Sequence, residues 1–229
     1  MFYGYGDAIA TGAVVTMKVA FGSLLVAILL GFATAIAKTS RYAVLRACAG
    51  GYTGLARSAP DFVWLLFLYY GGQAALNRIV NLFDPARAIE IDSFTASVAI
   101  LGIIYGGYLA ETFRGAIISV LPGQIEAGYA FGLKRSTVTL RILLPQMMRF
   151  ALPGLSNNWL VLVKASAITS MVSLNELVFL ASAAGRATHH VLLFFCVAGG
   201  VYLAITTVSL WLLRGLTHRY SMGAREVAL

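Results

Sequence analysis

The sequence contains few charged residues. Asp, Glu, Lys and Arg make up 11% of its 229 residues, whereas an ordinary soluble domain has about 25%. Hydrophobic residues make up 59% of the chain, and the mean hydropathy is +0.82. These values exclude an ordinary soluble domain. Acidic residues are the scarcer kind, which gives a net charge of +8. In a membrane protein such an excess of Lys and Arg marks cytoplasmic loops and does not indicate nucleic-acid binding.

Several motifs are also missing. The two cysteines have no spacing typical of a metal or redox site, and nothing matches the Walker sequence of a nucleotide-binding loop. We therefore expect no metal, no catalytic residue and no bound cofactor, and we expect that the chain does not hydrolyse ATP by itself. No basic residue precedes Lys18, and no small-residue cleavage site follows a short apolar core. The first apolar segment is therefore predicted to be a retained span rather than a signal peptide.

Five apolar segments are long enough to be membrane spans, because about 20 apolar residues cross the hydrocarbon core of a bilayer. The sequence therefore predicts an all-α integral membrane protein with five transmembrane helices in a single domain over residues 1–229. Lys18, at the outer end of the first span, can extend its ammonium group to the interface. The predicted spans are Val19–Ala37 (extended outward to about Gly12), Pro60 to about Leu76, Ser93 to about Leu121, about Phe150 to Val172, and Val191–Leu213.

The distribution of positive charge predicts the orientation of these spans. Segments 38–57 and 122–149 and the tail from Arg214 hold four, four and three Lys or Arg, whereas the predicted polar loops 77–92 and 173–190 together hold three. Lys and Arg are enriched in cytoplasmic loops. We therefore predict that the amino terminus lies outside and the carboxy terminus inside, with segment 122–149 in the cytoplasm.

The segment from Pro122 to Arg149 is polar and basic, although it lies between two predicted spans. Pro122 suits the first position of a helix, and Glu126 is placed to favour the helix start. Gly132 suits the left-handed residue that ends such a helix. A second amphipathic helix is predicted to follow, and Pro145 to close it. The sequence thus predicts two short helices at a bend, lying on the inner face of the membrane.

This segment resembles the EAA signature of ABC importer permeases. The residues that match the signature are Glu126, Ala127, Gly132, Ile142, Leu144 and Pro145. The second Ala of the signature is Gly128 in this chain, a departure that is expected to loosen the helix. In that family the loop forms a coupling helix that docks in a groove of a separate ATP-binding subunit, which binds ATP and Mg. The resemblance implies that Glu126, Ala127, Gly128, Gly132, Ile142 and Pro145 couple this chain to an ATPase.

Three further segments resemble the polar amino acid branch of the same family: Gly51–Asp61, Tyr105–Gly115 and Pro153–Ser166. The resemblance covers about residues 1–222 and looks closest to the permeases for histidine, lysine, arginine and ornithine or for opines. It implies a type I importer permease of the bacterial inner membrane, which moves polar and especially basic amino acids or opines by alternating access. The implied partners are a second homologous permease subunit, two ATP-binding subunits, a periplasmic substrate-binding protein and membrane lipid.

Four charged residues at or within the predicted spans are candidates for substrate contact, because charge inside a membrane usually faces a bundle interior or a water-filled cavity. Glu111 could bind a cationic amino acid, or pair with Arg114 three residues later on the same helix face. Lys164 could bind the substrate carboxylate, or bind carbonyl groups at a helix break, which is the favoured alternative. Asp61 could attract a cation, or pair with Arg57.

Two packing predictions concern the same spans. Asn157 and Asn158 are expected to form hydrogen bonds between helices. The spacing of Gly102 and Gly106 would let a neighbouring helix approach closely.

Two other functional classes are possible for such a chain. A self-sufficient secondary carrier or channel would need no ATPase, but it would leave the cytoplasmic two-helix loop unexplained, and the sequence lacks the inverted repeat that many carriers contain. A purely structural or sensory subunit would give no reason for Glu111 and Lys164. The favoured prediction is therefore the permease of an ABC importer.

Overall fold

The computed structural model describes residues 4–84 and 88–221, and the side chains within them up to residue 217. All regular elements in this part of the chain are helices, which confirms the predicted all-α class. Arg87 and the end of the predicted basic tail lie outside the described residues. The helices are α1 (Gly6–Lys38), α2 (Ala43–Ala56), α3 (Asp61–Asn81), α4 (Ser93–Ile118), α5 (Pro122–Ala130), α6 (Arg135–Val138), a π-helical turn (Thr139–Leu143), α7 (Leu144–Ala165), a 3-10 helix (Ser166–Val172), α8 (Leu177–Thr188) and α9 (Val191–Ser221).

Helix α4 lies at the centre of the bundle, where it packs against α1, α2, α3 and α7. Its core side chains are apolar and almost fully buried, among them Leu101, Ile104 and Leu109. Phe113 of α4 meets Phe32 of α1 edge to face, with ring centroids 5.8 Å apart. A helix buried on most of its sides needs apolar residues all round, which explains why α4 shows no clear polar face.

Glycines let the neighbouring helices approach α4 closely. A Cβ atom added to Gly102 would lie 2.5 Å from Val26 Cγ1 of α1, and one added to Gly106 would lie 2.6 Å from the Tyr52 hydroxyl of α2. Real Cβ atoms do not come so near to other atoms. The predicted close approach at Gly102 and Gly106 is therefore confirmed.

Helices α1 and α4 run parallel. Gly22 of α1 faces Val98 of α4, and Gly31 faces Leu109 farther along both helices. Two parallel neighbours in a membrane require a return crossing between them, and α3 is the helix of sufficient length in the connecting segment. It has 21 residues, or about 31 Å at 1.5 Å per residue, which matches the roughly 30 Å hydrocarbon core.

Helix α7 runs in the opposite direction to α1. Leu144, at its start, lies beside Phe32 near the end of α1. Fifteen residues later Trp159 contacts the earlier Phe21, with ring centroids 4.7 Å apart. The chain therefore passes back through the bundle along α7.

By length and composition, three helices of the described chain can each cross a membrane: α1, α4 and α9. A bent pair that includes α7 and α8 would make a fourth span. Helix α3 does not meet the same composition criterion, because its second half is polar. The chain is thus a helical protein with several membrane spans, while the count of five and the outward amino terminus stay predictions. The helix directions described above are compatible with that count.

The predicted polar loop 173–190 is wrong over most of its length. Helix α8 occupies Leu177–Thr188 and packs against α1 and α9 through buried Leu177, Ala181 and Ala184. It follows the helical segment that contains α7, after a bend of 55°. The segment looked polar because it contains Glu176 and Arg186, but the Glu176 side chain is buried among partners on three helices.

Helix α2 occupies most of the basic segment 38–57, between the first and second predicted spans. It turns Ala49, Thr53 and Ala56 inward against the bundle. Its other faces are exposed, which fits a helix that lies beside the spans rather than within them.

Filling the α1–α4 contact should destabilise the protein. A Cβ atom at Gly31 would lie 2.8 Å from Leu109 Cβ and 3.1 Å from the Ala110 amide nitrogen, so Gly31→Val must separate the helices. Overpacking costs about 1–3 kcal/mol, and each kcal/mol lowers the thermal midpoint by about 2–4 °C in a chain of this size. Gly71→Val is the matched control, because a Cβ atom there meets nothing within 4 Å. Equal midpoints of the two variants in a detergent thermal-unfolding assay would contradict this packing.

Candidate functional site

The segment between α4 and α7 has the predicted helix–bend–helix form, with two differences. Helix α5 begins at Pro122, and Gly132 has the left-handed φ of 74°, both as predicted. Glu126 is exposed and lies after the first turn of α5, so its predicted place at the helix start is wrong. Pro145 does not close the second helix, because it lies in the first turn of α7. The π-helical turn directly precedes it, where the missing proline amide interrupts regular α-helical bonding.

Gly128 is where the two halves of this segment pack together. A Cβ atom added to Gly128 would lie 2.8 Å from Ile142 Cδ1 and 3.1 Å from Val138 Cγ2. The residue is buried, and α5 continues past it to Ala130, so the expected loosening of the helix at Gly128 is not observed. The structure thus brings together Gly128 and Ile142, two of the predicted coupling residues.

Exposed apolar side chains surround the bend. Phe131 is 87% exposed and Leu140 is 63% exposed, and Tyr129 and Leu133 are also exposed. Large apolar side chains grouped on one surface are typical of a protein-binding site. The sequence interpretation concentrated on glycine and charge and missed these residues. The signal that could have identified this surface was the presence of large apolar residues inside an otherwise polar loop.

Glu111 is the centre of an ionic network at the end of α1. One carboxylate oxygen is bound by Lys38 Nζ, and the other lies 2.9 Å from Arg114 Nε. Lys38 also donates a hydrogen bond of 2.7 Å to the Thr53 hydroxyl of α2. The predicted pair with Arg114 is confirmed, and Lys38 is a partner that was not predicted. With both oxygens occupied, Glu111 joins α1, α2 and α4.

Asp61 and Arg57 have separate partners. The Tyr105 hydroxyl donates a hydrogen bond of 2.8 Å to Asp61 Oδ2, and the Arg57 guanidinium lies 5.4 Å from the centroid of the Tyr108 ring. An Asp61–Arg57 salt bridge, the predicted alternative, is not among the ion pairs of the described residues. The Tyr105 and Tyr108 rings are adjacent, with centroids 5.6 Å apart. The four side chains form one cluster, in which Arg57 occupies a face of Tyr108 and the Asp61 carboxylate has no paired cation among the described residues.

One face of α7 presents polar side chains to no other helix of the described residues. Asn157, Val161 and Lys164 share that face and are exposed. Lys164 lies in the last turn of α7, immediately before the 3-10 helix, so the predicted helix break exists. Across the described residues Lys164 has no hydrogen bond or ion pair, so the favoured contact with carbonyl groups is absent. Asn158 donates to the Thr112 hydroxyl of α4 at 3.4 Å, which confirms its interhelical bond, whereas Asn157 is exposed and forms none in the described chain.

Glu176 is a candidate that the sequence did not single out. It is fully buried, and its carboxylate accepts a hydrogen bond of 2.8 Å from the Phe179 amide at the start of α8. It also accepts hydrogen bonds from the Thr16 hydroxyl of α1 at 3.3 Å and the Tyr202 hydroxyl of α9 at 3.4 Å. Within the described part of the chain no cation is paired with it. The bend between the α7 segment and α8 is therefore held to α1 and α9 by one carboxylate.

Comparison with known proteins finds similarity along the whole chain. The family model for the binding-protein-dependent transport system inner membrane component matches residues 9–222. The chain is 41% identical over 229 residues to the histidine/lysine/arginine/ornithine transport system permease protein HisQ of Escherichia coli (strain K12). The aligned region covers 100% of both proteins. It is 32% identical over 206 residues to the octopine transport system permease protein OccQ of Rhizobium radiobacter. The aligned region covers 90% of this chain and 87% of the octopine permease protein.

Solved structures show the same architecture. The fold is similar to a chain in the crystal structure of an amino acid ABC transporter with histidines, with a TM-score of 0.80 at 27% identity, covering 94% of this chain and 95% of that chain. An inward-facing MetNI methionine ABC transporter gives a TM-score of 0.72 at 16% identity, covering 94% of this chain and 99% of that chain. The second likeness concerns the fold alone. The predicted resemblance to importer permeases is confirmed.

Removing the Glu176 carboxylate should destabilise the bent span. Glu176→Ala leaves the Phe179 amide, the buried Thr16 hydroxyl and the half-buried Tyr202 hydroxyl without this acceptor, and an unsatisfied buried polar group costs about 1–3 kcal/mol. We expect a lower thermal midpoint for Glu176→Ala and a smaller decrease for Glu176→Gln, which keeps one acceptor oxygen. Glu90→Ala is the control, because that side chain is exposed. A Glu176→Ala midpoint equal to that of the control would exclude this role.

Proposed function

We propose that this chain, which belongs to the family of binding-protein-dependent transport system inner membrane components, is the membrane-spanning subunit of an ATP-driven ABC importer. Its substrates are polar and chiefly basic amino acids or opines, which enter the cytoplasm by alternating access. The observation that carries this proposal is the full-length similarity to the HisQ permease protein, together with the similarity to the octopine permease protein. A self-sufficient carrier or channel is not favoured, because these relatives are permease subunits of transport systems.

A separate ATPase supplies the energy in this proposal, and ATP and Mg bind there rather than to this chain. The exposed apolar side chains around Phe131, together with exposed Glu126, form the surface that contacts it. Gly128 and Ile142 hold α5 against the π-helical turn, so the segment moves as one body. Because the π-helical turn runs directly into α7, a displacement at the bend reaches the membrane span.

The polar face of α7 supports a second permease subunit as partner. Asn157 and Lys164 are exposed on this chain, but polar groups at membrane depth must face protein or a water-filled cavity. A homologous subunit opposite this face, either identical or different, would enclose the pathway between the two. Two ATP-binding subunits and a periplasmic substrate-binding protein complete the assembly that we propose for the bacterial inner membrane.

The substrate residues divide into two groups in this proposal. Lys164 has no partner within the described residues and can bind a substrate carboxylate, while Asp61 is bound by the Tyr105 hydroxyl but has no paired cation there, and can bind a cationic side chain. Glu111 and Arg114, also predicted as substrate residues, are joined to each other and to Lys38. We assign them to positioning α1, α2 and α4.

Substitutions at the bend should uncouple ATP hydrolysis from uptake. Gly132→Val forces a β-branched residue to a φ of 74°, where L-residues are strained by about 1–3 kcal/mol, and Glu126→Lys reverses the charge of the proposed contact. We expect membrane insertion and ATPase activity to persist while uptake into proteoliposomes falls about tenfold, as a loss of about 1.4 kcal/mol would give. Gly50→Val on α2 is the control, since a Cβ atom there meets nothing within 4 Å. Unchanged uptake in both bend variants would refute the coupling role.

Asp61 and Glu111 should affect transport in different ways. Asp61→Asn removes the charge proposed to bind a cationic side chain, so KM for arginine should rise about tenfold, equivalent to about 1.4 kcal/mol, with little change for glutamine. Glu111→Gln should lower the thermal midpoint of the purified protein and leave the ratio of arginine to glutamine uptake unchanged. The opposite pattern, with selectivity altered by Glu111→Gln alone, would assign the substrate contact to Glu111.

A further inference from the structure

An apolar groove runs along the surface between α1, α7 and α9. It consists of two adjoining cavities of about 500 and 710 Å³ that share Met17, Phe21, Ala204 and Ile205. Leu155 and Trp159 of α7 line its deeper part. We call this feature the α1–α9 groove. Large apolar grooves on a membrane protein must be covered by lipid or by another protein.

Lys18 is the one charged residue among those that line the groove in the described chain, and Phe94 at the start of α4 lines the same part of it. It is exposed and has neither a hydrogen bond nor an ion pair within the described residues. Lys38 lies 20 residues later on the same helix, or about 30 Å away at 1.5 Å per residue, which equals the roughly 30 Å hydrocarbon thickness. With Lys38 at one boundary of the hydrocarbon core, Lys18 lies at the other, where lipid phosphates are found.

The length of the groove suits one acyl chain. Ala204 lines the groove together with Met17 and Phe21, which flank Lys18 on α1, and from Ala204 the lining on α9 continues to Leu213, or about 14 Å at 1.5 Å per residue. One leaflet contributes about 15 Å, half of the hydrocarbon core. A chain that begins at the level of Lys18 would therefore follow the groove to the middle of the bilayer.

The two faces of α7 distinguish a lipid from a protein partner. Leu155 and Trp159 face the groove, whereas Asn157 and Val161 lie about 200° around the helix from them, at about 100° per residue. The polar face needs protein or water, but the groove side of α7 is apolar. No acidic residue is among the described residues that line either cavity, so a second copy docked groove to groove would bring Lys18 no counter-charge.

We infer that the α1–α9 groove binds an anionic phospholipid, with the phosphate at Lys18 and an acyl chain between α1 and α9. Lys18 supplies the charge that selects an anionic headgroup, and the groove supplies the apolar contact. This inference depends on membrane embedding and not on the proposed transport function.

Lipid retention by the complex purified through this chain would test the site, with native mass spectrometry as readout after exchange into phosphatidylglycerol or phosphatidylcholine. Lys18→Gln should weaken phosphatidylglycerol retention about fivefold, the effect of one Lys near an anionic surface, and Lys18→Arg should restore it. Ala204→Trp, which fills the groove, should reduce retention of both lipids. Arg186→Gln and Leu203→Trp are matched controls, because both residues are exposed and neither lines the groove.

Three results would overturn the inference. The first is that Lys18→Gln and Ala204→Trp retain as much phosphatidylglycerol as the two controls. The second is that a photo-crosslinker at position 204 labels a second permease subunit instead of lipid, which would make the groove a protein interface. Inorganic phosphate should not displace the lipid, since the acyl chain contributes to binding, and displacement by millimolar phosphate would count against the groove.

Discussion

Helices α1 and α4 lie so close together that one added carbon at Gly31 or Gly102 would collide with the facing helix. The remaining helices are arranged around this contact. Because α1 and α4 are parallel, the chain must return between them along α3, and α7 then packs against both in the opposite direction. The charged groups follow from the same geometry: the approach of α1 to α4 brings Lys38 to Glu111, and the packing of α7 leaves Asn157 and Lys164 on its free face.

The features that the sequence predicted well depend on local patterns. Long apolar runs indicated the all-helical membrane class, and the spacing of Gly102 and Gly106 indicated close helix packing. Gly132 was identified because a left-handed residue commonly ends a helix. The pair of Glu111 with Arg114 follows from their separation of three residues on one helix. Each of these inferences needs only neighbours in the chain, so no knowledge of the tertiary structure was required.

The features that the sequence missed depend on contacts between distant residues. Lys38 and Glu111 are 73 residues apart, and Thr16 and Glu176 are 160 apart. Glu176 therefore looked like part of a polar loop, although its partners bury it completely. Gly128 looked like a weak substitute for alanine, because the Ile142 side chain that occupies the space of its missing Cβ is revealed only by the fold.

The pairing of Lys38 with Glu111 bears on the order in which the protein is made. Charged residues oppose the insertion of an isolated span into lipid, and α4 carries two of them in its last third, Glu111 and Arg114. Synthesis proceeds from the amino terminus, so α1 and its Lys38 are already in the membrane when α4 leaves the ribosome. Lys38 can then pair with Glu111 while the glycine-lined surface of α1 packs against α4. Sequential biosynthesis thus lets the first helix assist the insertion of a later one that is less suited to enter lipid alone.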